Sequence, residues 1–183
     1  MKLRAATSAD AAAILEIYAP YVTGSAVSFE TEPPDTEAMR ARIEAGAGLY
    51  PWIVGEDEAG ALAGYAYATA FRPRPAYRYA VETSVYLASA FQGQGIGSRL
   101  YRSLLETLEA QGFAQAIAVI TLPNPASVRL HEKLGFASAG TYRQVGHKLG
   151  GWHDVGLWQR QLAPANDPPT EPCLLAEAGL VLF

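Results

Sequence analysis

A single cysteine, Cys173, stands in 183 residues. This excludes an intrachain disulfide and any cysteine-based metal site. Histidine is almost as scarce. His131, His147 and His153 are too far apart in sequence to make a metal motif. Charged residues make up only 17% of the chain, with a formal net charge of −4, which argues against a general nucleic-acid surface. No apolar run reaches the length of a membrane span. Met1-Lys2-Leu3-Arg4 lacks the apolar core of a signal peptide. Half the residues are nevertheless apolar, too many for a disordered chain. The expectation is a cytoplasmic globular protein with one main domain.

The chain is organised around Gln92-Gly93-Gln94-Gly95-Ile96-Gly97. Before it, Val81 to Leu87 reads as a strand. After it, Ile96, Leu100, Leu104, Leu105 and Leu108 mark one face of a helix. A glycine-rich turn opening a helix leaves backbone N–H groups pointing outward, and the helix dipole adds positive potential there, so the turn suits a phosphate or pyrophosphate. No Lys follows the glycines as a P-loop requires. A dinucleotide fingerprint fails by one residue, because Ser98 stands where its third glycine belongs.

Elsewhere the pattern alternates helices and strands. Lys2 to Ala6 reads as a strand, and Thr7 to Asp10 as a helix start for a helix stopping near Pro20 or Tyr21. Ser25 to Glu30 reads as extended. Asp35 or Thr36 caps a second helix that ends at Gly46 and Gly48. Strands follow at Tyr50 to Glu56 and Ala61 to Phe71, and later at Ala116 to Thr121. Asn124 to Leu134 is a helix with Pro125 near its start, where a missing N–H costs nothing. A sixth strand lies within Phe136 to Lys148, and a seventh at Trp152 to Leu162. From Ala163 to Pro172 the chain is linker-like, and Cys173 to Phe183 is short and apolar. The domain is therefore drawn at 1–162 and a tail at 163–183. The tail either docks or stays disordered.

The order of Gln92, Gly95 and Gly97 resembles the acetyl-CoA loop of the GNAT family of N-acetyltransferases. The likeness narrows to the phosphinothricin N-acetyltransferase branch on longer motifs: Ser28-Phe29-Glu30-Thr31-Glu32-Pro33, Tyr50-Pro51-Trp52, Gly64-Tyr65-Ala66-Tyr67-Ala68, Arg74-Pro75-Ala76-Tyr77, Val81 to Tyr86, Leu130-His131-Glu132-Lys133-Leu134-Gly135-Phe136 and Gly151-Trp152-His153-Asp154-Val155. The resemblance covers nearly all of residues 2–162. It implies an α/β fold: a twisted mixed sheet with helices on both faces, whose two central strands splay into an acetyl-CoA cleft. It also implies acetyl transfer from acetyl-CoA, without a metal, to the α-amino group of a small acidic amino acid such as phosphinothricin or methionine sulfoximine or sulfone. Acetylation of another small amine, or acyl-CoA binding without catalysis, are the alternatives.

Amide formation needs a neutral amine, and amines with a pKa of roughly 8 to 10 are mostly protonated at neutral pH. A nearby carboxylate can take the proton. Glu82 sits in an apolar strand just before the loop, where burial would raise its pKa, and the resemblance makes it the general base. To protonate the departing thiolate the family commonly places a Tyr just before a Leu-Gly-Phe segment, and here that position is His131. Without the family, it reads as a helix-face histidine packed beside Val128 and Leu134.

The resemblance further implies that backbone groups at Val85, Tyr86 and Leu87 bind pantetheine and the carbonyl oxygen. The pyrophosphate would sit on Gln92, Gly93, Gln94, Gly95, Ile96 and Gly97, with Ser98 close by. Asn124 and Ser127 either bind the cofactor or cap their helix. Arg72, Arg74 and Tyr77, in a proline-stiffened loop, and Phe29 would line the amino-acid pocket, arginine forks matching its acidic oxygens. Tyr142 to Trp158 supplies Val145, Leu149, Trp152, Val155, Leu157 and Trp158, apolar residues for either a homodimer interface or the core.

Overall fold

A computed structural model describes residues 1–46 and 48–183. The seven strands are β1 (Lys2–Ala5), β2 (Trp52–Glu56), β3 (Leu62–Ala70), β4 (Ala80–Leu87), β5 (Gln115–Leu122), β6 (Ala137–Lys148) and β7 (Gly151–Gln161). They form one sheet in the order β1-β2-β3-β4-β5-β7-β6. The ladders are antiparallel except β4–β5. That parallel pair requires a crossover, which α3 (Ile96–Ala110) supplies. The helices α1 (Ala11–Gly24), α2 (Thr36–Gly46), α4 (Pro125–Lys133) and α5 (Leu175–Ala178) complete the chain.

Two cores cover the two faces of the sheet. On one, Leu100, Leu104, Leu105 and Leu108 of α3 are fully buried over Ile53, Ala66, Ala68, Val81 and Ala116. Their spacing follows the helical period, and each contributes about 2 kcal/mol relative to exposure. The small residues of β3 admit α3 closely. On the other face, Ile14, Ile17, Tyr18 and Val22 of α1, with Met39 and Ile43 of α2, pack on Trp52, Val54 and Tyr65. The alternation along β3 thus assigns alanines to one face and tyrosines to the other.

Several elements differ from their sequence reading. The first helix does not stop at Pro20 or Tyr21 but runs to Gly24. Pro20 is exposed, so the carbonyl left without an N–H donor faces solvent and the helix continues. Ser25 to Glu30 is an irregular loop rather than extended chain. It is held by side chains: Tyr18 Oη and Ser28 Oγ lie 2.7 Å apart, and Arg42 Nη1 donates to Glu30 Oε1 at 2.7 Å. Asp35, not Thr36, caps α2, its Oδ1 accepting from Ala38 N at 2.7 Å. Among the apolar residues of the late strands, Val155 and Trp158 are buried, whereas Tyr142, Val145, Leu149 and Trp152 are exposed.

Lys148, near the end of β6, ties this hairpin to α1. Its buried Nζ donates to Val22 O and Ser28 O, both at 2.6 Å. The ammonium therefore sits against a carbonyl of the last turn of α1, where the helix dipole favours a cation. Lys148→Met keeps the apolar stem and orphans two buried carbonyls. Urea denaturation is expected to show a loss of about 2 kcal/mol. An unchanged midpoint would show that solvent satisfies these carbonyls.

Candidate active site

The site begins where β4 and β5 part. Their ladder pairs Ala80 with Gln115, Val81 with Ala116 and Glu82 with Ile117, and goes no further. Both strands continue, to Leu87 and Leu122, without pairing each other. Thr83 stands at the fork. Its Oγ1 donates to Ile117 O at 3.2 Å and lies 2.7 Å from Tyr101 Oη, which rises from α3 and is fully buried. A side-chain hydroxyl thus occupies the place of the next ladder bond, and the strands diverge around it.

Beyond the fork, the backbone of Thr83 to Leu87, which includes Val85 and Tyr86, pairs only with β3. An extended group with amide donors and acceptors can add itself there as a strand would. The chain then turns through Gln92 to Ile96, with Gly93 at φ 73° and Gly95 at φ 80°, a left-handed conformation that glycine adopts without cost. A Cβ at either glycine would meet nothing within 4 Å, so the loop surface is open. Gly97 is buried, and an added Cβ would press on Leu87 at 3.3 Å. The N-terminal amides of α3, with Ser98 in its first turn, complete an anion-binding end. Gln92 Nε2 donates to Tyr21 Oη, which itself donates to Leu87 O at 2.6 Å, tying loop and strand end to α1. Backbone amides, absent side chains and an unpaired strand edge therefore fit a pyrophosphate with a pantetheine arm.

Glu82 is the last paired residue before the split. It shares the α1–α2 face with Ser84 and Tyr86, opposite Thr69, Tyr67 and Tyr65. Glu82 is partly buried and accepts no hydrogen bond among the described residues. Burial raises its pKa from the ordinary carboxylate value, and the charge of Arg72 partly opposes this. Arg72 therefore lies within electrostatic reach of Glu82.

Arg72 and Arg74 are exposed, with the Arg72 guanidinium 5.0 Å over the Phe71 ring. Tyr77 closes a 3-10 turn over Pro75–Tyr77 and packs edge-on against Phe71 at 5.7 Å. Phe29 lies apart from this loop. It packs on the β6 backbone at Gly146, where an added Cβ would fall 2.2 Å from the Phe29 ring.

His131 is the one fully buried residue of α4, edge-on to Tyr101 and Phe136. Its Nδ1 donates to Ser127 O at 2.8 Å, and burial lowers its pKa. The ring is neutral at physiological pH, with Nε2 the unprotonated nitrogen. In that state it accepts a proton rather than donating one. Asn124 Oδ1 accepts from Ser127 N at 3.1 Å, the geometry of a helix cap.

Other residues enter the site only through the fold. Tyr18, Met39, Arg42, Trp52, Tyr67 and Thr69 line a cavity of about 260 Å³ on the face that carries Glu82. Trp52 and Tyr67 stack at 4.2 Å. The tyrosines of β3 were visible as an alternating run, but not that β4 sets Glu82 opposite them. A larger cavity, about 690 Å³, lies between α1 and the β2–β3 turn. It reaches Tyr21, Leu87 and Gln92 at the loop end of β4, but neither Thr83 nor Glu82 lines it, and its arginine, Arg4, is already paired with Asp10 and Glu56.

Known proteins share this fold. The acetyltransferase (GNAT) domain family matches residues 3–157. The chain belongs to the GNAT acetyltransferase family. It is 47% identical over 173 residues to a phosphinothricin N-acetyltransferase of Streptomyces viridochromogenes, covering 94% of each chain. That span is too long to stop at Leu162. A methionine sulfoximine/methionine sulfone acetyltransferase of Salmonella typhimurium is 40% identical over 163 residues, 88% of this chain and 95% of that protein. The crystal structure of a GNAT superfamily phosphinothricin acetyltransferase from Sinorhizobium meliloti, in complex with acetyl-CoA, superposes with a TM-score of 0.88 at 41% identity, covering 94% of both chains. The mixed sheet splayed at its central strands, implied by resemblance, is the fold found, and the GNAT N-acetyltransferase is the enzyme class.

The opposing effects on Glu82 predict a shift of known sign. Arg72→Ala removes the charge that favours the carboxylate, so the Glu82 pKa should rise further. The acidic limb of the kcat/KM profile should move to higher pH. A limb that stays in place would show that another group controls it.

Proposed function

We propose that the protein transfers acetyl from acetyl-CoA to the α-amino group of a small acidic amino acid, with phosphinothricin and methionine sulfoximine or sulfone as the substrate class. The observation that carries this reading is Glu82 at the strand fork, desolvated and within reach of Arg72. The named activities of the relatives support it. When bound, acetyl-CoA supplies an acetyl group activated as a thioester.

The chain's own residues would do the rest. Amides from Gln92 to Gly97, with Ser98, hold the pyrophosphate, and the open edge of Val85, Tyr86 and Leu87 holds the arm and the carbonyl oxygen. Arg72 and Arg74 clamp the acidic oxygens and Tyr77 bounds the pocket on their side, while Phe29, packed on β6, would border it from a separate element. Glu82, whose pKa burial raises and so makes a stronger base than an exposed carboxylate, takes the ammonium proton and frees the lone pair for attack. A domain that only bound acyl-CoA would have no use for a desolvated carboxylate at this point.

For His131, the neutral ring supports a positioning role against Tyr101 more than proton donation. Asn124 and Ser127 serve first as the cap of α4. Transfer is direct, in a ternary complex. Cys173, the one cysteine, lies beside Gln111 beyond the end of α3, at the opposite end of that helix from the glycine loop. Glu82→Gln keeps the shape and removes the base. CoA release should fall about a hundredfold or more, with acetyl-CoA binding by calorimetry little changed. An unchanged rate at neutral pH would sink the assignment.

The proposal includes cytoplasmic residence and a symmetric homodimer through the late strands. Among the described residues, no helix is long and apolar enough to cross a membrane. The β6–β7 hairpin exposes Val145 by 56%, Leu149 by 64% and Trp152 by 64%. Leu149 sits at its tip with φ 51°, followed by Gly150 at φ 77°. Leucine is a strained choice there, where Asn-Gly is usual, and a partner that covers its side chain supports keeping it. Light scattering should give a dimer for the wild type and a monomer for Leu149→Asp/Trp152→Glu. A monomeric wild type rejects the dimer, and a dimeric variant rejects this hairpin as its interface.

A further inference from the structure

The C-terminal segment beyond Leu162 docks on the body of the protein. Cys173 N donates to Gln111 O at 2.8 Å, and Gln111 Nε2 donates back to Cys173 O at 3.0 Å. Further along, Leu175 N donates to Gly48 O and Val181 N to Thr107 Oγ1. These bonds fix the neighbouring Glu171. Its carboxylate accepts from Arg78 Nε at 2.7 and 2.9 Å, from Arg78 Nη2, and from Tyr79 Oη at 2.8 Å. The Arg78 guanidinium also lies 4.4 Å over the Tyr79 ring. One nitrogen of the fork remains, and Nη1 donates to Pro75 O at 3.1 Å.

Pro75 O is also the acceptor that closes the 3-10 turn, from Arg78 N at 3.2 Å, and Tyr77 N donates to Arg74 O at 3.0 Å. An arginine held at one end by a carboxylate thus braces, at its other end, the turn that presents Arg74 and Tyr77. It follows that Arg78, although third in a run of arginines, is committed to Glu171. Arg72 and Arg74 remain for an acidic ligand.

We propose that Glu171 is a positioning residue for the acidic substrate, acting through Arg78 on the turn that carries Arg74 and Tyr77. The inference rests on the reading that this loop binds the substrate's acidic group. Arg78 and Tyr79 hold the Glu171 carboxyl down at about 2, so the brace stays charged at every pH where the enzyme would work. The pair is exposed, which limits what it transmits. A bidentate surface pair corresponds to about a three- to fivefold effect.

The test uses the full chain with acetyl-CoA and methionine sulfoximine. Glu171→Gln should raise KM for methionine sulfoximine about three- to fivefold, leaving kcat and KM for acetyl-CoA unchanged. Arg78→Met should do the same, and the double variant should be no worse than either single one. Arg74→Ala separates the two levels of the argument. If it raises KM while Glu171→Gln does not, the brace is refuted and the acid-binding loop stands. If neither changes KM, the acid-binding reading itself falls. If Glu171→Gln lowers kcat and worsens both KM values together with the melting temperature, the segment merely stabilises the fold and the positioning role is overturned.

Discussion

The site depends on a ladder that stops. After Glu82 and Ile117, two parallel strands that share a sheet cease to pair, and the Thr83 hydroxyl takes the Ile117 carbonyl that the ladder would have used next. Tyr101 supports that hydroxyl from α3. Both strands are otherwise anchored, β4 by β3 and β5 by β7, so the sheet tolerates a gap that would open an isolated pair. An unpaired strand edge inside a fold is costly unless something else pairs with it. Here that cost becomes a cleft, with a glycine turn and a helix N-terminus at one end and a glutamate at the other.

The position of Glu82 has a thermodynamic consequence. Its folded pKa is raised, so the native state holds the proton more tightly than the unfolded chain. The stability from this group is full below the unfolded pKa and is lost as pH rises through the folded value. Ionising the carboxylate here costs hydration that it keeps in the unfolded chain. That is unfavourable for folding and useful in a base. Arg72 moderates the shift without forming a salt bridge, which would abolish the basicity.

Around the fork, the structure is stiffened by a few long-range polar contacts. Lys148 joins the last hairpin to α1 and to the loop carrying Phe29. Tyr21 joins α1 to the end of β4 and to Gln92. Glu171 joins the C-terminal segment to the arginine turn. Each joins segments that lie far apart in the sequence. Most are charge-assisted or buried, and such bonds are stronger and more directional than exposed neutral ones.

Much of this was legible in the residues. The α3 face, the glycine turn and the alternation of tyrosines with small residues in β3 follow from period and φ preference, which act within one or two turns of chain. They also exclude a P-loop and a dinucleotide fold. The choice of Asp35 over Thr36 and of a cap for Asn124, by contrast, came from the structure. Glu82 stood out because a carboxylate in an apolar strand is conspicuous by composition alone. The sequence by itself thus determined most of the elements, their order and the chemistry available in each, though not where α1 ends or that Ser25 to Glu30 is irregular. Only the tertiary structure decided that β7 inserts between β5 and β6, and that Glu82 faces Tyr67 and Thr69 across a particular register. It alone decided that His131 is enclosed and neutral, and that Glu171 reaches Arg78. Those outcomes rest on contacts between segments dozens of residues apart. Such contacts depend on strand register, burial and side-chain reach, and no local periodicity in the chain encodes them.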